Sequence, residues 1–472
     1  MAREWAPYQL VFLAVLALGV ANTAFADDTH YQDYIVGGRA AGLAGAFTSL
    51  SDDPSGIFYN PAGLADVRHA DLQFSASLYG FEQNVVNQPP NLLPVSGLSN
   101  LNVEFTNMLI VPASAGFVSA FGSEGQDGLP QQAYGATIVV PSSRSLAINS
   151  ANATPLGVAT TYSQNMTDRS LWCGAGYGRK LGERLRLGIS GFYILRSMTD
   201  VENVASNSTS SDPSLQGFQN TTNNVSLLNG NLVFEAGAKY RLDDHFTAGL
   251  SITSPSIAIN SHAQLQFTEA QSNPACTGSQ CPFGNSPSST LQTTTFNAHS
   301  ATHYPTTIRA GLSYVERYKF TIAADATYNF PVHYSLIYGG GIDQSLTDRL
   351  PFPATVDRKG VLNFNVGAEF LIIREVSVAG GVFSDYSSAP SIPANPGQTM
   401  LPHVNLLGGS IALGYFGEHS ISRLGILYSA GSGEDVVPSQ EIAPSAGPKQ
   451  PVQRAPYAQS FFYVFVSSTF RY

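Results

Sequence analysis

About fourteen stretches of this chain, each roughly ten residues long, alternate apolar and polar side chains. Leu72, Phe74, Ala76 and Leu78 alternate with Gln73, Ser75, Ser77 and Tyr79, and the period recurs in RLRLGISGFYIL (184–195), NLVFEAGAKY (231–240), TIRAGLSYV (307–315), KFTIAADATY (319–328) and LNFNVGAEF (362–370). The spacing predicts strands starting near 72, 111, 132, 170, 184, 229, 246, 305, 319, 361, 375, 403, 421 and 459. Between them, long polar loops are expected over 83–106, 141–169, 197–226, 259–303, 330–360, 386–401 and 431–458, alternating with short turns such as 181–183, 242–244, 316–318 and 417–419. A soluble sandwich has no reason for long loops at one end and tight turns at the other, whereas an outer-membrane barrel does. The expected fold class is therefore all-β, a transmembrane antiparallel β-barrel of about 14 strands. Closure removes the edges that so many strands would otherwise expose, and an even count places both termini on the periplasmic side.

The composition fits a protein with two solvents. Charged residues are 12% of the chain, about half the ~25% usual for soluble domains. With 23 basic against 33 acidic side chains and a net charge of −10, no nucleic-acid partner is expected, because neutralising phosphates needs a basic surplus. Arg3, the apolar run from Leu10 to Val20 and Ala24-Phe25-Ala26 read as a signal peptide over 1–26, the run being shorter than the ~20 residues of a spanning helix. The segment 27–70 is then the first part of the mature chain and 71–472 the barrel. The chain ends SFFYVFVSSTFRY, a last strand with Phe462, Val464, Val466, Phe470 and Tyr472 on one face. Such an ending makes the barrel-assembly machinery an expected partner, together with outer-membrane lipid around a monomer. Cys276 and Cys281, in CTGSQC, are expected to close a small disulfide loop in an oxidising compartment, and Cys173 reads as a packing residue.

The least generic stretch is GRAAGLAGAFTSLSDDPSGIFYNPAGLA, 38–65. Leu43, Phe47 and Leu50 fall at i, i+4 and i+7, which predicts a short helix with one apolar stripe. Asn60 before Pro61 is placed to cap a new helical turn that proline starts. Gly38, Gly42 and Gly45 do not make a dinucleotide-binding G-x-G-x-x-G. A compact, small-residue segment of this kind suits a plug inside a tube.

These residues resemble the FadL/TodX-type outer-membrane transporters of long-chain fatty acids and other hydrophobic compounds. The likeness rests on Gly38-Arg39-Ala40-x-Gly42-Leu43-x-Gly45-Ala46-Phe47, Asp52-Asp53 and Asn60-Pro61-Ala62-Gly63-Leu64-Ala65, and more loosely on 306–328 and 366–390. It implies a barrel closed by an N-terminal helical hatch, ligand capture at extracellular loops, and release by hatch movement or sideways through the wall. The family's capture groove is greasy where 200–226 and 269–300 here are rich in Ser, Thr and Asn. The first loop, with Leu92, Leu93 and Leu98, is the apolar candidate for ligand binding.

Alternation places Arg186, Arg196, Glu235, Lys239, Arg309, Asp325 and Glu369 in the lumen. Arg196 and Arg309 are candidate cations for an amphipathic ligand, with an Arg309–Asp325 cross-strand pair as the structural alternative for the second. No G-x-S-x-G, H-E-x-x-H or zinc-type spacing occurs, so neither an enzyme, a metal nor a cofactor is expected. The reading is passive uptake of hydrophobic small molecules, long-chain fatty acids first. The alternative is a surface barrel acting as adhesin or scaffold.

Overall fold

The structure, a computed structural model, describes residues 30–31, 34–68, 70–86, 103–109, 112–125, 130–153, 158–208, 216–273, 288–347, 350, 352–396, 400–438 and 452–472. It is a closed, 14-stranded antiparallel barrel around a small N-terminal hatch. The strands are β1 (Ala70–Val86), β2 (Val103–Leu109 and Pro112–Glu124), β3 (Pro130–Ala153), β4 (Val158–Leu181), β5 (Leu185–Ser208), β6 (Phe218–Arg241) and β7 (Phe246–Thr253 and Ile257–Asn273). They continue with β8 (Ser288–Ser300 and Thr307–Glu316), β9 (Phe320–Asn329), β10 (Val361–Ile373), β11 (Val376–Asp385), β12 (Leu406–Phe416), β13 (Ser420–Pro438) and β14 (Val452–Arg471). Each pairs with its neighbour in sequence, and β1 pairs β14 from Asp71–Arg471 to Val86–Tyr457, which closes the sheet. Among the described residues no helix is long and apolar enough to span a bilayer.

The alternating faces become inside and outside. Along β5, Arg186, Ser190, Phe192 and Ile194 are buried in the lumen while Leu187 and Ile189 face outward. On β9 the outward band runs from Phe320 to Phe330, about ten residues or roughly 25 Å once the strand is tilted, the height of a lipid-facing belt.

Three of the expected loops are mostly strand. The intervals 141–169, 197–226 and 259–303 hold the upper halves of β3 to β8, and β3, β4, β5 and β6 are 24 residues each. At about 3.3 Å per residue they are roughly 80 Å long, far more than the hydrocarbon requires. Beyond the belt the outward face of β5 is mixed and mainly polar, Ser197, Thr199 and Asn203 with Val201 among them, so the ladder continues where backbone groups still need partners but lipid selects side chains less strictly. The interval 330–360 is a folded cap. Val332–Ser335 pairs with Thr355–Arg358, and Ile337–Tyr338 pairs with His299–Ser300 at the end of the upper β8 segment.

The helix expected over Leu43 to Leu50 is a single turn, α1 (Gly38–Gly42). Ala44 and Gly45 take φ of 52° and 87°, and Gly45 N–H bonds back to Ala40 O at 2.8 Å, so the chain leaves the helix there. Leu43, Phe47 and Leu50 nevertheless all reach the core. A second turn, α2 (Gly56–Tyr59), leads to a 3₁₀ helix, Pro61–Asp66, that hands the chain to β1. The signal-peptide residues, Leu92, Leu93, Leu98 and the pair Cys276 and Cys281 lie outside the described residues.

Candidate ligand cavity and hatch

Asn60 organises the hatch. Its backbone is extended before Pro61, its Oδ1 accepts from Ala62 N–H at 3.1 Å, and its Nδ2 donates to Thr48 O at 2.9 Å and to Ala238 O of β6 at 3.1 Å. One side chain thus caps a helix, ties two hatch segments and fastens both to the wall. Pro61 and Ala62 reach the wall because Gly188 is opposite: a Cβ there would come 2.2 Å from Pro61 C. Inside the hatch, Gly63 meets the same constraint, since a Cβ would lie 2.2 Å from Ser51 O.

The hatch is fastened by charge at the end of the barrel where the short turns lie. Arg39 Nη1 donates to both Asp52 oxygens at 2.8 Å, and its Nε donates to Glu369 of β10 at 3.0 Å. Arg423 of β13 reaches the other Glu369 oxygen at 3.2 Å. Burial works against the Arg39 charge, but Asp52 and Glu369 more than offset it and hold the guanidinium above its ordinary value. Asp66 bonds Arg186 of β5 and Lys239 of β6, each at 2.8 Å. Burial would raise its pKa, yet Lys239 and then Arg186 outweigh it and hold the carboxyl at about 2. Lys239 also donates to Leu50 O. Gly38, Arg39, Gly42, Gly45, Asp52, Asp53, Asn60, Pro61, Ala62 and Gly63 therefore lie in one body inside the tube. Asp53 is tied to Ser55 and to Gln73 of β1.

Above the hatch lies a cavity of about 120 Å³ walled by Phe58, Tyr59, Trp172 and Tyr304 together with Glu235, Arg309 and Asp325. Phe58–Trp172 and Trp172–Tyr304 meet edge to face with centroids 5.6 and 5.3 Å apart. Arg309 does not pair with Asp325. The hairpin turns one residue later than expected, at 317–319 with Tyr318 at φ 60°, so Arg309 faces Thr327 and Asp325 faces Gly311. Arg309 Nη1 instead stands 3.7 Å from Glu235 Oε2 of β6, with the guanidinium 5.4 Å over the Phe58 ring. Asp325 Oδ2 accepts the backbone N–H groups of Phe47 and Thr48 at 2.8 and 2.7 Å, a second fastening of the hatch.

Arg196 is not an open cation. Its Nε donates to Asp168 Oδ1 of β4 at 2.9 Å, its Nη2 pairs with Asp168 Oδ2, and its Nη1 reaches Thr302 at 3.3 Å. The two proposed cations thus sit apart, Arg309 in the aromatic cavity and Arg196 against a smaller one beside His303 and Tyr334. Higher still, Met198, Val225, Leu227, Leu265 and Phe267 on the inner wall pack against Tyr334, Leu336, Ile337, Leu350 and Val356 of the cap. Sequence reading missed this outer apolar cluster, although the alternation of Val225 and Leu227 with Asn224 and Ser226 signals it. Among the described residues no His, Cys, Asp or Glu cluster could hold a metal ion.

Among the described residues the wall changes its pairing beside the hatch. β2 pairs β3 up to Ser114–Val139, the β3–β4 register shifts at Val140–Pro141, and among the described residues no ladder joins Val103–Leu109 to β3. The chain leading into the hatch docks there, with Tyr34 N–H on Pro141 O at 3.1 Å. A separate cavity of about 210 Å³ lies at the short-turn end of the barrel, lined by nine charged residues that include Arg39, Asp52, Glu369 and Arg423.

No family model matches this sequence, and no curated protein matches it either. Solved structures do. A Pseudomonas aeruginosa FadL homologue is similar at TM-score 0.63 and 12% identity over 94% of this chain and 99% of that one. The P. putida toluene transporter TodX is similar at TM-score 0.55 and 13% identity over 93% and 99%, and the Ralstonia pickettii toluene transporter TbuX at 0.53 and 11% over 92% and 98%. The likeness at such identity is one of fold: this chain is a hatch-plugged, 14-stranded barrel of the FadL/TodX architecture.

Proposed function

We propose that the protein carries hydrophobic small molecules passively across an outer membrane, receiving them past the apolar cluster under the cap, holding them on the hatch and releasing them sideways into the bilayer. The observation that carries this reading is the aromatic-walled cavity seated on the hatch inside a lipid-facing barrel. Its size suits one ring, since a cavity of about 150 Å³ admits benzene, and suits a long acyl chain poorly. The structural neighbours named for toluene transport agree with this choice over fatty acids.

Lateral release follows from solvation. A ring buries roughly 150–250 Å², so moving it from apolar surroundings into water costs about 4–6 kcal/mol. The charged periplasmic cavity imposes that cost, and the unpaired seam between β2 and β3 leads instead to lipid. Uptake of an alkylbenzene and of a long-chain fatty acid by cells with and without the gene tests the reading. The alkylbenzene should enter faster with the gene, and unchanged uptake of both compounds would refute transport.

A further inference from the structure

We propose that the tall outer wall of β4 to β8, above the lipid-facing belt, is a docking face for the uncharged sugar chain of the glycolipid that surrounds the barrel. The proposal goes beyond the uptake reading and does not depend on it.

The cross-strand registers set the outward residues in rows. Thr167, Thr199, Ser226, Gln264 and Asn297 make one row across the five strands, and two more rows follow above it at alternate residues. None of these fifteen positions is buried; fourteen are Ser, Thr, Asn or Gln, the exception is Val201, and none is charged. A water-facing surface of that size ordinarily carries about four or five charged residues. Cations are missing from the inner face as well, since no Lys or Arg occurs in 197–238 or 254–308. Side chains of neighbouring strands bond to one another across the face. Asn203 Nδ2 donates to Asn220 Oδ1 at 2.9 Å and to Thr222 Oγ1 at 2.8 Å, and the Thr268 and Thr293 hydroxyls meet at 3.2 Å.

Height and chemistry name the occupant. Thr199 lies ten residues beyond Ile189, which faces lipid, and on a tilted strand that is roughly 25 Å higher, about 10 Å past the edge of the belt. Short turns mark the periplasmic end of such barrels, so this wall stands on the side of the outer leaflet. The face is continuous with the belt: acyl chains end below it, and the sugars those lipids carry lie beside it. Neutral sugars offer hydroxyls that both donate and accept, which Ser, Thr, Asn and Gln match without desolvating a fixed charge. Phosphate groups would need cations that this wall lacks. A second copy would need apolar or aromatic anchors at the centre of the patch, and one valine does not supply them.

Two lipids test this on the full chain in polyoxyethylene-detergent micelles: a lipopolysaccharide whose core ends in neutral hexoses, and the same lipid cut back to its acylated, phosphorylated disaccharide. The long form should bind at least about tenfold tighter, the yield of a few net hydrogen bonds. Asn224→Val, Gln266→Val and Thr295→Val together remove three adjacent polar groups of the middle row and keep β-branched side chains on the strands. The triple variant should bind the long form within about threefold of the short one, with affinity for the short form and heat-modifiable migration unchanged. Equal affinity of the wild type for both lipids overturns the proposal, even where the variant does not fold. So does a variant that loses both lipids equally, because acyl chains would then carry the contact, and so does one that keeps its full preference for the long form. Wild type that sediments as a dimer without lipid, and as a monomer after Asn224→Arg, would give the face to a second copy and overturn the proposal too. None of these outcomes bears on alkylbenzene uptake.

Discussion

Single residues hold the hatch against the wall, and their chemistry gives different sensitivities. Asn60 makes three hydrogen bonds in three directions, so Asn60→Ala removes a cap and strands two carbonyls. With a cap worth about 1 kcal/mol and each of the two unmet carbonyls about 1–3, the hatch should lose about 3–7 kcal/mol. In planar bilayers the variant should pass ions more often than the wild type, while heat-modifiable migration of the barrel stays the same. Asp66 gives a pH dependence. Its folded pKa of about 2 lies below the unfolded value of about 3.9, so its contribution of about 2 kcal/mol is complete above pH ~3.9 and is lost as pH falls through 2. Conductance of the wild type should therefore be constant from neutral pH down to about 4 and rise below it. Arg186→Gln, which removes one of the two cations on Asp66, should move that rise to higher pH.

At the scale of strands, the sequence shows period but not extent. Alternation located β5 to β12 within a few residues at their short-turn ends, because lipid demands apolar side chains there and the tight turns punctuate them. It lost the upper halves of β3 to β8, where Ser, Thr and Asn are frequent and the apolar residues that remain, such as Val225, Leu227 and Leu265, face inward instead of toward lipid. The inner residues Met198, Val225, Leu265 and Phe267 were legible one by one, yet only pairing across strands shows that they share a cluster. The two zones should respond differently to charge. Ile189, 63% exposed in the middle of the apolar stretch of β5, faces lipid, whereas Thr199, further along the same face, lies past the belt. In vesicle refolding titrations Ile189→Arg should destabilise the barrel by about 2–4 kcal/mol and Thr199→Arg by about 0–1. Equal costs would mean that the belt extends higher than the outward side chains indicate.

For the whole molecule the question is which part moves during release. The hatch motif was legible because a chain folded inside a tube must use small residues and sharp turns. The partners of Arg39, Asp66 and Asn60 were not, since each lies on a strand distant in sequence, as with Glu369, 330 residues from Arg39. Those partners fasten the hatch on several sides, through β5, β6, β9 and β10, which under the proposed sideways release argues that it stays seated. Gly42 and Ala379 of β11 allow a direct test, because a Cβ on Gly42 would lie 3.3 Å from the Ala379 Cβ, close to disulfide spacing. In a background with Cys173, Cys276 and Cys281 changed to serine, Gly42→Cys with Ala379→Cys should crosslink hatch to wall under oxidation. Alkylbenzene uptake should then remain within about twofold of the reduced protein, since a seated hatch does not obstruct the lateral path. A crosslinked protein that stops uptake, and recovers it on reduction, would place the route through the hatch instead of through the wall.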